Sequence, residues 1–319
     1  MTEPPRFSAE ERSGFSAEER RGFSAEESRG AFFAVSAYVL WGVAPLYFLL
    51  VEFALPTEII VHRVFWSLLF LLALLWLRGD LRALFGLSVR TYLWLGLSGT
   101  LLAANWWTFV WALQNDRVME TSIGYYINPL VSMVLGVMVL GERLRAGQWL
   151  AVSLAAMGIL NEVWQAGGVP IVGLVLAVSF GLYGLVRKML GIEAVQGLAL
   201  EALLLLPLAL VVFLYSAQAG SLRGLDPGLV GIFYLALGGI VTSVPLLCFN
   251  AAAVRLPLVV LGMFQYLAPS ITLLLAVFYY GETFQAFKWV TFGLIWLGLL
   301  LFTIEGLWLY RRAREPFAD

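Results

Sequence analysis

The sequence predicts an all-α membrane protein with ten transmembrane helices, arranged as two inverted five-helix repeats around a central cavity. Hydrophobic residues make up 61% of the chain and charged residues 13%. A soluble domain is nearer half apolar and about a quarter charged, so the bilayer is the expected solvent. Ten apolar stretches reach about 20 residues, enough to cross a hydrocarbon core about 30 Å thick. One segment also occurs twice, which indicates an internal duplication.

The duplication is clearest between Pro129 and Glu142. This apolar segment returns 140 positions later, between Pro269 and Glu282. The same offset relates three further pairs, Tyr126 with Tyr266, Trp149 with Trp289, and Gly158 with Gly298. Because proline and tryptophan are rare residues, chance is a poor explanation, and we expect two similar halves.

Two tails flank the predicted repeats. Residues 1–30 hold three copies of an octapeptide, beginning at Phe7, Phe15 and Phe23. A glycine in every copy and sparse hydrophobic residues predict a disordered tail. The repeats are predicted at 31–166 and 169–309, with a second tail at 310–319. The predicted spans are 31–51, 57–77, 91–114, 118–140, 147–166, 169–186, 196–216, 228–250, 257–280 and 287–309.

Basic residues set the expected orientation, because Lys and Arg concentrate in cytoplasmic loops. With a cytoplasmic N-terminus, sixteen of the 20 basic residues fall on the cytoplasmic side, Arg187 among them, and three on the other. The remaining one, Arg63, lies inside a span. Both termini are therefore predicted to be cytoplasmic. Since each half has five spans, the second half is inverted relative to the first, as in many secondary transporters.

Several segments resemble the RarD branch of the EamA family, within the drug/metabolite transporter superfamily. The resemblance runs from about residue 32 to 312 and is carried by Tyr38–Pro45, Glu58–Ser67, Gly124–Pro129, Leu140–Arg143, Tyr183–Lys188, Val244–Phe249 and Phe264–Tyr266. It implies ten helices in two inverted halves around a central cavity, in the bacterial inner membrane. It also implies transport of small molecules, usually export.

Ionisable residues inside a span are costly and therefore functional candidates. Glu58, His62 and Arg63 lie on the second predicted span, and Glu201 lies on the seventh. Glu58 and His62 are four residues apart and share a helix face. His62 is the only histidine, which excludes a multi-histidine metal site but suits a proton-linked switch.

Arg63 and Glu201 are expected in two separate polar layers. Counting 1.5 Å per residue from each span's entry leaves roughly 13 Å between their levels, which argues against a direct ion pair. Asn105 is expected near the level of Arg63, and Asn250 near that of Glu201. We hypothesise that the two layers gate a central cavity. The alternative is that both charges satisfy backbone carbonyls and stabilise helix ends.

Aromatic and amide residues are the candidate lining between these layers. Asn128, Gln265 and Tyr266 are predicted near the membrane midplane, and Tyr126 is the repeat partner of Tyr266. Aromatic rings with a polar tip suit amphipathic solutes. Trp107 could extend the wall, but a tryptophan near a helix end is commonly an interfacial anchor. Tyr183 is the further candidate, within a segment that carries the resemblance.

Pro129 and Pro269 lie inside predicted helices, where each removes a backbone hydrogen bond and permits a kink. Their equivalent positions predict a symmetric hinge near the cavity, and a shared folding requirement would give the same pattern. Glu142 is expected to cap a helix or pair with a loop arginine rather than contact substrate.

The leading functional prediction is a secondary transporter of small metabolites or drug-like molecules. A flippase for lipid-linked intermediates would share the same fold and stays an alternative. An intramembrane enzyme is disfavoured, since all four aspartates fall in loops or at the terminus and no nucleophile–base motif is present. No cofactor, metal or nucleic-acid partner is expected. The expected partners are a small-molecule substrate and the bilayer, with proton coupling and homodimerisation left open.

Overall fold

The computed structural model describes residues 25–165, 167–224, 226–279, 281 and 286–314, and within these ranges the regular structure is entirely helical. A short 3₁₀ turn, Leu81–Leu84, follows the third helix. The helices are α1 Ala25–Val43, α2 Pro45–Leu49, α3 Pro56–Arg78, α4 Val89–Gln114, α5 Val118–Leu140, α6 Ala146–Gln165, α7 Ile171–Leu190, α8 Ala194–Gln218, α9 Leu229–Ala253, α10 Leu258–Gln265, α11 Leu267–Phe278 and α12 Ala286–Arg314.

Eight helical segments in the described part are long and apolar enough to cross a bilayer. They are α1 with α2, α3, α5, α7, α8, α9, α10 with α11, and α12. Helices α4 and α6 lie where spans were predicted, but they are not among the eight. They carry more polar side chains, including Arg90, Asn105, Gln148, Asn161 and Glu162. The all-helical membrane fold is confirmed, and the count of ten spans stays a prediction.

Helix packing has the symmetry of the duplication. Helices α1–α2, α3, α4, α5 and α6 of the first half correspond to α7, α8, α9, α10–α11 and α12 of the second. Helix α1 packs on α9 and α7 packs on α4, while α3 packs on α9 and α8 packs on α4. Three equivalent pairs also pack on each other, α3 on α8, α5 on α10, and α6 on α12. Exchanging the two halves therefore reproduces the same set of contacts.

Glycines allow the closest helix contacts. A Cβ added at Gly124 of α5 would lie 2.8 Å from the Cα of Gly173 on α7. At Gly158 and Gly298, the pair related by the duplication, it would lie 2.8 Å from Thr291 O and 2.7 Å from Ala151 O. These contacts fit the expectation that small residues pack membrane helices together.

The first span differs from its prediction at both ends. Helix α1 begins at Ala25, so residues 25–30 of the supposed disordered tail are helical. Gly30 faces the α9–α10 connection, where an added Cβ would meet Leu256 at 2.8 Å. The rest of that tail, 1–24, lies outside the described residues, as do Glu282 and the end of the second tail. The span is also divided before Pro45, which begins α2.

The proline hinge is not symmetric. Helix α5 runs through Pro129 without interruption, whereas the second copy is divided at Tyr266, within one turn of Pro269. Proline has no N–H for the preceding turn, so α5 lacks one internal hydrogen bond at Pro129, whereas Pro269 lies in the first turn of α11, where the N–H would have no partner within the helix. Only the second copy separates there into two helices.

Glu142 caps a helix from the other half. Its carboxylate accepts hydrogen bonds from the backbone N–H groups of Leu258 and Val259, at 2.7 and 2.9 Å. These groups begin α10, where the helix dipole favours a negative charge. Capping was one of the two expected roles, and the capped helix lies more than a hundred residues further along the chain.

Candidate functional site

The first polar cluster surrounds Arg63 on α3, and we call it the Arg63 layer. The Arg63 Nε donates a 2.6 Å hydrogen bond to Thr242 Oγ1 on α9. The guanidinium lies over the ring of Trp106 from α4, 4.7 Å from its centroid, and 6.0 Å from that of Phe48. Three different helices and the short α2 therefore converge on one cation.

No carboxylate of the described chain lies within ion-pair distance of Arg63. Tyr47 and Tyr125 are its electrostatic neighbours. The backbone of Gly238 leaves room for this arrangement, since an added Cβ would collide with the Tyr47 hydroxyl and lie 3.5 Å from Arg63 Cγ. The Arg63 layer is thus a half-buried cation among aromatic rings, with its charge uncompensated.

The second polar cluster surrounds Glu201 on α8, and we call it the Glu201 layer. Glu201 Oε1 accepts a short hydrogen bond from Ser98 Oγ of α4 and lies 3.4 Å from Arg187 Nη1 of α7. Arg187 is 0% exposed and Glu201 1% exposed. Gly197 makes space for the guanidinium, because a Cβ there would collide with Arg187 Nη1. This layer holds a fully buried ion pair.

Tyr183 and Asn250 extend the Glu201 layer. The Tyr183 hydroxyl lies 3.3 Å from Glu201 Oε2, and Asn250 Nδ2 donates to that hydroxyl at 2.9 Å. Asn250 was predicted near the level of Glu201, and the tyrosine connects the two. The sequence argued against an ion pair between Arg63 and Glu201, and Glu201 pairs instead with Arg187.

A cavity of about 20 Å³ joins the two layers. Its lining includes Trp106 and Thr242 of the Arg63 layer and Glu201 of the other, with Ser243 between them. This volume holds about one water molecule. The Ser243 hydroxyl is buried without a hydrogen-bond partner among the described residues. In this conformation the cavity is nearly closed, and Glu201 is the predicted site residue that lines it. The larger central cavity stays a prediction.

Glu58 and His62 are not among the residues that line this cavity. Glu58 accepts hydrogen bonds from the backbone N–H groups of Arg223 and Gly224, at 3.0 and 2.8 Å, and so holds the loop before α9. His62 Nδ1 accepts from Trp66 Nε1 at 3.2 Å. A nitrogen that accepts carries no proton, so this contact favours the neutral imidazole.

Asn105 and Trp107 do not contact Arg63. Asn105 donates to Leu176 O and Ser179 Oγ of α7, at 2.9 and 3.0 Å, and ties two helices together. Trp107 is 56% exposed, which favours the interfacial-anchor alternative. Their neighbour Trp106 is the α4 residue that faces the cation.

The predicted midplane residues lie outside the lining of this cavity. Tyr126 is buried against the ring of Phe292, 5.5 Å away, and Tyr266 is fully buried. Gln265 Nε2 donates to Ser132 Oγ at 2.9 Å. The hydroxyl of Tyr266, Asn128 Oδ1 and Gln265 Oε1 are buried without a partner in the described part. These groups form a second buried polar region between α5 and α10.

Sequence reasoning missed Arg187, Trp106 and Thr242. Arg187 was counted with the cytoplasmic arginines because the sixth span was ended at residue 186, whereas α7 continues to Leu190. Arg187 lies 140 positions after Tyr47, but nothing in the sequence marked Tyr47 as a neighbour of a buried charge. Nothing in the local pattern distinguishes Thr242 from the other hydroxyls of α9.

Comparisons with known proteins agree with this architecture. The EamA-like transporter family matches twice, at residues 28–161 and 169–304, so each half is one copy of the same unit. Protein RarD of Escherichia coli strain K12 is 43% identical over 286 residues, 88% of this chain and 96% of that protein. An uncharacterized transporter of Pseudomonas aeruginosa is 44% identical over 284 residues, 88% of this chain and 95% of that protein.

A more distant protein of Pseudomonas aeruginosa, the chloramphenicol-sensitive protein RarD, is 29% identical over 274 residues, 84% of this chain and 91% of that protein. One solved crystal structure superposes with a TM-score of 0.69 at 17% identity, covering 87% of this chain and 98% of that chain; this likeness concerns the fold alone. The family model matches both halves of the chain, and the relatives match it over most of their own length. This multi-pass membrane protein therefore belongs to the EamA-like transporter family.

Proposed function

We propose that the protein is a secondary active transporter that exports small anionic or zwitterionic molecules across the bacterial inner membrane by alternating access. Both termini would lie in the cytoplasm. Membership of a transporter family supports the general activity. The substrate class rests on a single observation, the uncompensated Arg63.

A cation inside a membrane protein is costly, by about 2.5–3.5 kcal/mol at the centre of a span. The ring of Trp106 offsets part of this cost through a cation–π interaction, worth about 0.5–2 kcal/mol. The hydrogen bond to Thr242 uses Nε and leaves the outer nitrogens to other partners. A carboxylate or phosphate on the solute would bind them in the planar geometry that arginine favours. The surrounding rings would contact the apolar part of the solute.

Alternating access requires the cavity between the layers to widen. At about 20 Å³ it is too small for an organic solute, so α3, α4, α8 and α9, which supply its lining, must separate. The buried Arg187–Glu201 pair lies at the end of the cavity away from Arg63. We therefore assign the Arg63 layer to solute binding and the Glu201 layer to closure of the opposite side.

If transport is coupled to protons, we assign the proton-binding group to Glu201 and not to His62. Glu201 borders the cavity, and protonation would remove the charge that holds Arg187. His62 already accepts a hydrogen bond from Trp66, and Glu58 is held by two backbone N–H groups. Transport into inside-out vesicles should then fall when the pH gradient is collapsed.

The test begins with an untargeted metabolite comparison of cells with and without the protein, followed by uptake of the accumulated compounds into inside-out vesicles. Arg63→Gln should lower uptake of an anionic substrate by about ten-fold or more, the value of one charge-assisted hydrogen bond. Arg90→Gln, which removes an exposed arginine, is the matched control and should leave uptake unchanged. Membrane insertion is measured for each variant.

Full uptake by a normally inserted Arg63→Gln variant would refute the binding role. If only lipid-linked compounds accumulate and no soluble solute enters the vesicles, the flippase alternative replaces export of a soluble molecule.

A further inference from the structure

Helices α6 and α12 share a buried polar cluster that belongs to neither charged layer, and we call it the Glu162 cluster. It consists of Asn161 and Glu162 on α6 with Phe287 and Thr291 on α12. The Thr291 hydroxyl donates a 3.0 Å hydrogen bond to Glu162 Oε2. Asn161 Nδ2 donates to Phe287 O at 3.1 Å and to Thr291 Oγ1 at 2.9 Å. Two helices therefore bring a carboxylate, a hydroxyl, an amide and a backbone carbonyl together.

The negative charge of Glu162 has no positive partner in the described part of the chain. Glu162 is 9% exposed and Thr291 is 0% exposed, and no Lys or Arg side chain, Lys288 of α12 included, lies within ion-pair distance of the carboxylate. Its electrostatic neighbour on α5 is Tyr126, whose hydroxyl adds no positive charge. A buried carboxylate is costly unless a positive charge balances it. The cluster therefore needs one positive charge.

The oxygen atoms of the cluster suit a hard metal cation. A single carboxylate balances a monovalent ion, whereas calcium takes about 6–8 oxygen ligands, with carboxylates prominent among them. Sodium is bound in transporters by carbonyl oxygens at helix ends. Asn161 Nδ2 now lies between Phe287 O and Thr291 Oγ1, and half a turn of that amide would put Oδ1 in its place. Four oxygen ligands would then converge next to Glu162.

We propose that the Glu162 cluster binds one monovalent metal cation, with Na⁺ as the ion that matches its charge and its oxygen ligands. The ligands are the Glu162 carboxylate, the Thr291 hydroxyl and the Asn161 amide oxygen, with the Phe287 carbonyl as the fourth. The bound ion neutralises Glu162 and holds α6 against α12. Binding of the ion depends neither on the transported solute nor on the ion pair of the Glu201 layer.

Sodium binding is measured by thermal unfolding of the full-length protein in detergent micelles. Sodium chloride is exchanged for choline chloride at constant ionic strength, so that charge screening stays the same. At about ten times its dissociation constant, Na⁺ should raise the midpoint temperature by about 2–4 °C. Glu162→Gln should abolish this rise. The matched control, Glu305→Gln, removes a carboxylate of α12 that already pairs with Arg145 and should keep the rise.

A second pair of variants keeps the test decisive if Glu162→Gln does not fold. Thr291→Val removes the hydroxyl with little change of shape and should lose the rise, whereas Thr291→Ser keeps the oxygen and should keep it. A rise of equal size in wild type and Glu162→Gln overturns the proposal, as does a wild-type midpoint that is the same in both salts. A midpoint that rises on acidification but not with Na⁺, and only in proteins that keep Glu162, overturns it in favour of a protonated carboxyl group.

Discussion

Removing both members of the buried Arg187–Glu201 pair should cost less stability than the two single losses added together. The two side chains are 0% and 1% exposed, and Arg187 Nε and Nη2 have no further partner in the described chain. Glu201→Leu leaves a guanidinium that cannot lose its proton, at a cost of about 3–5 kcal/mol. Arg187→Met should cost less, about 1–3 kcal/mol. The carboxylate left behind still accepts from Ser98 and Tyr183 and can become neutral by taking up a proton.

The assay is reversible unfolding in mixed micelles, with the free energy of unfolding compared across wild type, both single variants and the double variant. The double variant should lose at least about 1 kcal/mol less than the sum of the single losses, since contacting residues couple. Arg78→Gln removes an exposed ion pair with Glu193 and should change stability by less than about 1 kcal/mol. A Glu201→Leu loss within that control range, or strict additivity, would show that the pair is not the buried unit described above.

Two further predictions concern contacts that hold the helices in place. Gly197→Ala places a methyl group against Arg187 Nη1 and should lower the free energy of unfolding by about 1–3 kcal/mol. The control, Gly96→Ala, should leave it unchanged, because the nearest atom to its added methyl group would be 4.0 Å away. Equal losses for the two variants in the same assay would count against the packing argument. Glu142→Gln removes the charge that caps α10 at Leu258 and should cost about 0.5–2 kcal/mol. Hydrogen exchange should then rise at the first turn of α10, and unchanged protection there would contradict the capping role.

Much of the fold could be predicted because the bilayer simplifies the problem. An apolar stretch of about 20 residues must be helical in lipid, where every backbone polar group needs an internal partner. The predicted span 118–140 agrees with α5 at both ends. The break before Pro45 was missed, because hydropathy does not report where a helix bends. The start of α1 at Ala25 was missed, because a glycine such as Gly30 usually indicates a flexible segment and the sequence does not reveal its contact with Leu256.

The candidate site was predictable only in outline. Intramembrane charge identified Arg63 and Glu201, since burying a charge needs a reason. Their partners could not be read from the sequence, because a hydroxyl such as Thr242 looks the same whether it bonds its own helix or a distant arginine. The rotation of a helix about its own axis also cannot be read from the sequence. The one-residue difference between Trp106 and Trp107 decides which ring faces the cation.

The duplication explains why the two layers differ in charge. Tyr47 and Arg187 stand 140 positions apart, as do Ser98 and Gly238, so equivalent positions of the two halves surround the two charged side chains. At the first of these paired positions, the second half holds Arg187, which neutralises Glu201. The first half holds Tyr47 there, and a tyrosine cannot neutralise the Arg63 cation.

Within the described residues, the second half therefore pairs Glu201 with its own Arg187, whereas Arg63 of the first half has no carboxylate partner. A solute with a negative group is the partner that would balance it while the layers alternate. If the fold is a symmetric frame, the tyrosine that stands in place of an arginine would make one end of the cavity the proposed binding site and the other its proposed closure.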